Sequence, residues 1–169
     1  MKRLLPVVIL LLPMVSAFGQ DIARPKEISD LAWMVGAWEG SGKIAFGGQE
    51  TEITTSMTVS FDGQFLKSVS SDKSSGFTLT KTSMLGWDAT KSQYVSYTFT
   101  NMAPTARIAH GKLEGGKLVM TSDPWEAEGM TAVMKETVSN VSDTKCGYKL
   151  ELKTGEKWAT GMDFVLNKK

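Results

Sequence analysis

The chain has 169 residues, 41% of them hydrophobic and 22% charged, which fits one domain with its own core and argues against a disordered chain or two domains. Its 19 basic and 18 acidic residues show no basic stripe, so nothing marks nucleic acid or an anionic membrane as a partner. The single cysteine, Cys146, excludes an internal disulfide, so stability must come from the core.

Residues 1–19 read as a secretory signal peptide. Lys2 and Arg3 form a basic start, Leu4 to Val15 a short apolar run, and Ala17-Phe18-Gly19 supplies small residues where a signal peptidase cuts. Cleavage is expected before Gln20, with cleavage after Ala17 as the alternative. A membrane span needs ~20 apolar residues, more than this run offers. No cysteine follows it to carry a lipid anchor, and no later stretch is long enough to span. Without Lys2 and Arg3, 17 basic residues face 18 acidic ones, a net charge of −1. The mature chain, residues 20–169, is expected to be one domain, periplasmic or extracellular, with signal peptidase as its processing partner.

The mature chain opens with one short helix or helical turn. Pro25 suits a helix start, Ile28, Leu31 and Val35 recur at helical steps, and Gly36 stops the run. The period then changes to two. Gly36-x-Trp38-x-Gly40-x-Gly42 reads as a first strand, in which glycine relieves crowding. In 50–61, Ile53, Thr55, Met57, Val59 and Phe61 alternate with small polar residues, as a half-buried strand requires. Asp62-Gly63 is a two-residue hairpin signal. Further strands are expected at 64–70, 77–87, 93–100, 105–113, 117–122, 130–138, 148–153 and 158–166. The turns between them are marked by Ser71–Gly76, Asp88–Lys91, Asn101–Pro104, Glu114–Gly116, Asp123-Pro124 and Thr154–Glu156. Cys146 falls in Asp143–Gly147, which reads as a turn. The fold class is therefore all-β. About ten strands with short turns predict an antiparallel up-and-down barrel, with one short helix at its start.

The Gly36-to-Gly42 opening resembles that of lipocalin-like and nitrobindin-like barrels. A closer resemblance is to a bacterial family catalogued only as domain of unknown function 1579. It rests on Leu31 to Gly42, Asp62-Gly63-Gln-Phe65-Leu66, Met84-Leu85-Gly86-Trp87-Asp88, Tyr94-Val95 and Gly111-Lys-Leu-Glu-Gly115. The resemblance implies a calycin-type barrel of about ten strands, and fold is all that it carries over. Nitrobindin-like relatives bind haem through a histidine late in the chain. The only histidine here is His110, mid-chain, so haem is disfavoured and no cofactor is expected.

His110 alone lacks partners for a triad or most metal sites, and reads as a surface or structural residue. Asp123, Glu126 and Glu128 match no calcium-loop spacing and read as a solvated loop. Trp125 beside them is placed to cover a rim or the core. No Gly-x-Ser-x-Gly elbow or phosphate loop occurs. Methionine is the more telling residue type, since unbranched thioethers fill irregular cores or line adaptable pockets. In a hollow barrel, Met57, Phe61, Met84, Tyr97, Met120, Met134, Trp158, Met162 and Phe164 would line an apolar cavity. The expected function is non-enzymatic binding of a small hydrophobic ligand in that cavity, towards the mouth opposite the helix. Two alternatives are a haem-dependent or other enzyme activity within the barrel, using His110, Glu39 or Glu52, and an envelope stress module with a filled barrel and an apolar patch outside.

Overall fold

The computed structural model describes residues 23–46, 49–127 and 129–169. The predicted signal peptide lies outside the described residues. Helix α1 (Lys26–Ser29) and a 3-10 turn (Ala32–Met34) precede strands β1 (Gly36–Phe46), β2 (Gln49–Asp62), β3 (Phe65–Lys73), β4 (Thr78–Asp88), β5 (Gln93–Thr100) and β6 (Ala103–Glu114). Then follow β7 (Lys117–Ser122), the short pair β8 (Trp125–Ala127) and β9 (Met130–Ala132), β10 (Met134–Ser142), β11 (Lys145–Thr154) and β12 (Lys157–Lys168).

Ten of these strands close into one antiparallel barrel, in the order β1-β12-β11-β10-β7-β6-β5-β4-β3-β2. Each hairpin pairs neighbours in the chain, and β12 returns to β1 with Trp38 opposite Lys168 and Ile44 opposite Met162. Closure leaves the barrel without a free edge to template aggregation. The Asp62-Gly63 signal makes the β2–β3 turn, where Gly63 takes φ 57°, a left-handed conformation that glycine adopts without strain.

The spaced glycines of β1 work at the closure seam. A Cβ at Gly40 would lie 2.6 Å from the Val165 carbonyl, and one at Gly42 would lie 2.8 Å from the Phe164 side chain. Phe164 and Leu166 of β12 thus occupy the space that side chains at Gly40 and Gly42 would need, which explains the Gly-x-Trp-x-Gly-x-Gly spacing.

The opening segment plugs one end. Ile28 and Leu31 are fully buried, and Met34 packs with them over Trp38, Val59, Leu66, Leu85, Tyr94, Leu118, Cys146 and Leu166. The Trp38 indole N–H donates to the Met34 carbonyl at 2.7 Å, and the Tyr94 hydroxyl donates to the Glu27 carbonyl at 2.9 Å. Each fully buried aliphatic side chain contributes about 1.5–3 kcal/mol relative to exposure, which holds so short a helix in place.

Three details depart from the sequence reading. Residues 130–138 are not one strand: the ladder breaks at Val133, and β9 pairs with β8 at the rim opposite the helix. The segment around Asp123, read as loop, therefore contributes a strand of its own. Cys146 lies within β11, opposite Leu166, and is buried; the turn is Asp143-Thr144. A small, weakly polar side chain behaves there as a core hydrophobe, which turn composition alone concealed.

Candidate functional site in the barrel lumen

Register and burial decide what faces inward. In β2 the inward set is Ile53, Thr55, Met57, Val59 and Phe61. The cross-strand partners of these residues extend the set to Leu66, Ser68, Ser70 and Asp72 of β3. Continuing around the barrel gives Lys81, Ser83 and Leu85 of β4, and Tyr94, Ser96 and Thr98 of β5. Beyond these come Arg107 and Ala109 of β6, Met120 and Ser122 of β7, Glu136 and Val138 of β10, and Tyr148 and Leu150 of β11. The helix end is apolar. The middle of the barrel, towards the other mouth, is a ring of polar and charged side chains.

That ring is connected. Thr55 donates its hydroxyl to Asp72 Oδ1 at 2.8 Å, and Lys81 Nζ lies 2.8 Å from Asp72 Oδ2. Lys81 also sits 5.7 Å from the centre of the Tyr148 ring. The Tyr148 hydroxyl donates to Glu136 Oε1 at 3.1 Å, and Arg107 Nη2 donates to the same oxygen at 2.7 Å. Arg107 Nη1 points at the Met134 sulfur at 2.8 Å, and Nε has no acceptor. Ser83 and Thr98 hydrogen-bond to each other across β4 and β5.

The electrostatics follow from burial and pairing. Burial alone would raise the Glu136 carboxyl, but the charges of Arg107 and Lys81 and the hydrogen bonds from Arg107 and Tyr148 outweigh it and hold the carboxyl below its ordinary value. Burial, reinforced by the Glu136 charge, pushes the Tyr148 phenol well above the usual range, so it is a hydrogen-bond donor at neutral pH. Burial would weaken the charge on Arg107; the carboxylate of Glu136 more than offsets it and strengthens the charge. Two cations and two carboxylates leave the ring neutral overall.

The ring also borders internal space. Glu136 keeps 24% of its side chain accessible and Lys81 keeps 18%, although both face inward. Met57, Ser68, Ser70, Ser83, Met134 and Tyr148 are likewise only half-buried. A groove of about 320 Å3 lies on the outer face of β1–β4, against outward residues such as Glu39, Ser56, Thr58, Val69, Ser71 and Thr80. The chamber itself is marked by the inward accessibility of Glu136, Lys81 and their half-buried neighbours. A larger, open depression of about 700 Å3 lies at the rim against Gly42, Ile53 and Lys73, away from the Arg107 pair.

The nine sequence-derived candidates divide by face. Met57 and Met134 border the chamber. Met120, Met162 and Phe164 face inward as buried core. Phe61 faces inward at the plug end, with the Arg24 guanidinium 3.8 Å above its ring. Met84, Tyr97 and Trp158 point outward. Met84 and Tyr97 pair with each other across β4 and β5 on the convex face, and Tyr97 is 46% exposed. Trp158 stacks under Lys135 on the outer surface. For Met84 and Tyr97 the reason lies in the middle of β4 and β5, where the inward positions are Lys81, Ser83, Ser96 and Thr98 and apolar character does not mark the inner face. His110 also faces outward, with Gln93 at 3.2 Å from Nδ1 and Asp123 at 3.5 Å from Nε2. Glu39 and Glu52 are exposed. Trp125 is buried at the rim, its indole N–H donating to the Thr105 carbonyl at 3.2 Å. Among the described residues, no group of three histidine, cysteine or acidic side chains is placed to hold a metal ion. No helix of the described residues is long and apolar enough to cross a membrane.

Asp72, Lys81, Arg107, Glu136 and Tyr148 escaped the sequence reading. A cue was present: Glu136 lies between Met134 and Val138, which share one face of their strand. Strict alternation puts Glu136 on that inner face with them.

The family model described as "Protein of unknown function (DUF1579)" matches residues 25–168. The chain belongs to this family. No curated protein matches it. Among solved structures, the crystal structure of Rv2717c from M. tuberculosis is similar at a TM-score of 0.62 and 12% identity, covering 86% of this chain and 99% of that one. At that identity the likeness establishes the barrel fold alone.

Proposed function

We propose that this DUF1579 member is an exported, non-enzymatic binding protein that holds a small molecule in its barrel. The observation that carries this reading is the accessible, inward-facing Glu136, set in a neutral ring of charges that borders a chamber. The chamber supports a ligand with one polar group for the ring and an apolar body for Met57 and Met134, rather than a purely hydrocarbon one. A filled structural barrel has no use for buried ion pairs, since well-packed apolar residues are often as stable or more so. The test is uptake of the uncharged fluorophore N-phenyl-1-naphthylamine, with and without Ser70→Phe, which projects a ring into the chamber. Saturable uptake that Ser70→Phe abolishes, while leaving the fold intact by circular dichroism, supports the reading. Absence of uptake, together with no co-purified small molecule in native mass spectrometry, refutes it.

A second reading is favoured by the outer face of β3–β5. Val69, Thr82 and Phe99 form one cross-strand row, and Phe99 is 56% exposed. Neighbouring exposed apolar side chains such as Val69 and Phe99 can form a docking patch. Under this reading, Phe99→Ser abolishes the protein's associations and Ser70→Phe leaves them unchanged.

A further inference from the structure

We propose that Arg107 receives an uncharged, carbonyl-type oxygen of the bound molecule, and that Met134 occupies this place until the ligand enters. The inference rests on the lumen-binding reading above and names the chemistry of the ligand.

A guanidinium has five N–H donors and no acceptor. Arg107 is 6% exposed, so the protein must supply its partners. One oxygen acceptor, Glu136 Oε1, is present. The second contact is a thioether sulfur, a weak acceptor, and the Nε–H has none. Buried donors are nearly always satisfied, so the Nη1 edge of the guanidinium, met only by the weak thioether acceptor, marks a place where an oxygen belongs. The Met134 side chain is the flexible part of that wall. Its backbone is fixed, because its N–H donates to Ser122 Oγ at 2.9 Å. Only the thioether need swing aside. Met134 opens β10 at the rim opposite the plug, so a molecule entering by that mouth meets it on the way to Arg107.

Charge decides which acceptor fits. Arg107 and Lys81 are balanced by Glu136 and Asp72. A carboxylate would add an unbalanced negative charge beside Glu136 in a poorly solvated space, and an ammonium would meet Arg107 and Lys81. A neutral amide, ketone or ester oxygen supplies the missing acceptor without disturbing the balance. The half-buried inward side chains of Met57 and Tyr148 suit the remainder of such a molecule.

The test uses 15N-labelled protein and three probes with one tail: octanamide, octanoate and octylamine at pH 7. The Arg107 Nε–H resonance is assigned by its absence in Arg107→Lys. Octanamide is expected to bind about tenfold or more tighter than octanoate or octylamine and to move that resonance. Met134→Leu, which keeps the volume and removes the sulfur, is expected to tighten octanamide severalfold. Octanoate binding as tightly as octanamide, or saturable octanamide binding that leaves Arg107 Nε–H unmoved, overturns the inference. If naphthylamine enters and no octyl probe binds, the inference falls and the binding reading stands; if nothing binds, both fall.

Discussion

Removing Arg107 alone tests whether the lumen ring behaves as a coupled unit. Arg107→Met keeps much of the volume but strips Glu136 of its strongest partner, in a place where the Tyr148 hydroxyl and the nearby Lys81 compensate only in part. Breaking one side of a buried ion pair costs about 3–5 kcal/mol, because the surviving charge remains desolvated. Glu136 retains some access to the chamber, so the lower end applies, about 3 kcal/mol or a fall in Tm of roughly 6–12 °C for a domain of this size. Glu136→Leu strands the guanidinium, which is the more deeply buried partner, and should cost more. The double variant Arg107→Met/Glu136→Leu removes both charges and should cost less than either single change. Urea unfolding followed by fluorescence of the five tryptophans supplies the three free energies. Additive costs, or a single Arg107→Met cost below about 1 kcal/mol, would show that the pair is not desolvated as the structure has it.

Three further predictions follow from the same geometry. The folded Glu136 carboxyl sits below its ordinary 4.5, so below that value the unfolded chain takes up a proton that the folded protein refuses. Its stabilisation is therefore complete above about pH 5 and lost as pH falls through 4.5 towards the folded value, and an acid-unfolding curve of Glu136→Gln should lack that contribution. Burial pushes the Cys146 thiol up to about 11, so the native protein should leave a thiol reagent unconsumed at pH 8 and react with one equivalent after denaturation; fast native labelling would contradict the burial of β11. Gly42→Val drives a branched side chain into Phe164 at the closure seam and should lower stability by about 2 kcal/mol or more in the same urea assay, whereas Gly76→Ala, in open space, should change little.

Much of the architecture was legible in residue order. Alternation and the hairpin signals pointed to about ten barrel strands in a meander, and Trp38 with its spaced glycines marked the closing seam. The plug was readable because Ile28 and Leu31 recur at helical steps beside a glycine stop. The interior was not readable in the same way. Lys81, Arg107 and Glu136 look like solvent-facing charges when each strand is taken singly, because Arg107 meets Glu136 only across a separation of 29 residues. Long-range pairing converts a charge that belongs outside into one that can stay inside, and no local pattern records it. The same blindness set Met84 and Tyr97 facing inward: apolar character was taken to mark the inner face on strands where Ser83, Ser96 and Thr98 hold it.

The inverted strand has a cost during folding. β5 carries Val95, Tyr97 and Phe99 outside and Ser96 and Thr98 inside, so its own hydrophobic preference favours the opposite face. A one-residue slip would exchange every side chain between faces and bury the aromatic set. The native arrangement is held by neighbours: Tyr94 anchored to the plug, the Ser83–Thr98 contact, and Arg107 opposite Thr98. Local and global preferences therefore conflict in this strand, which makes β5 a point of frustration in an otherwise consistent landscape. Register in β5 is thus set by its neighbours and turns against its own alternation, and a slipped strand would bring Tyr97 and Phe99 to the inner face.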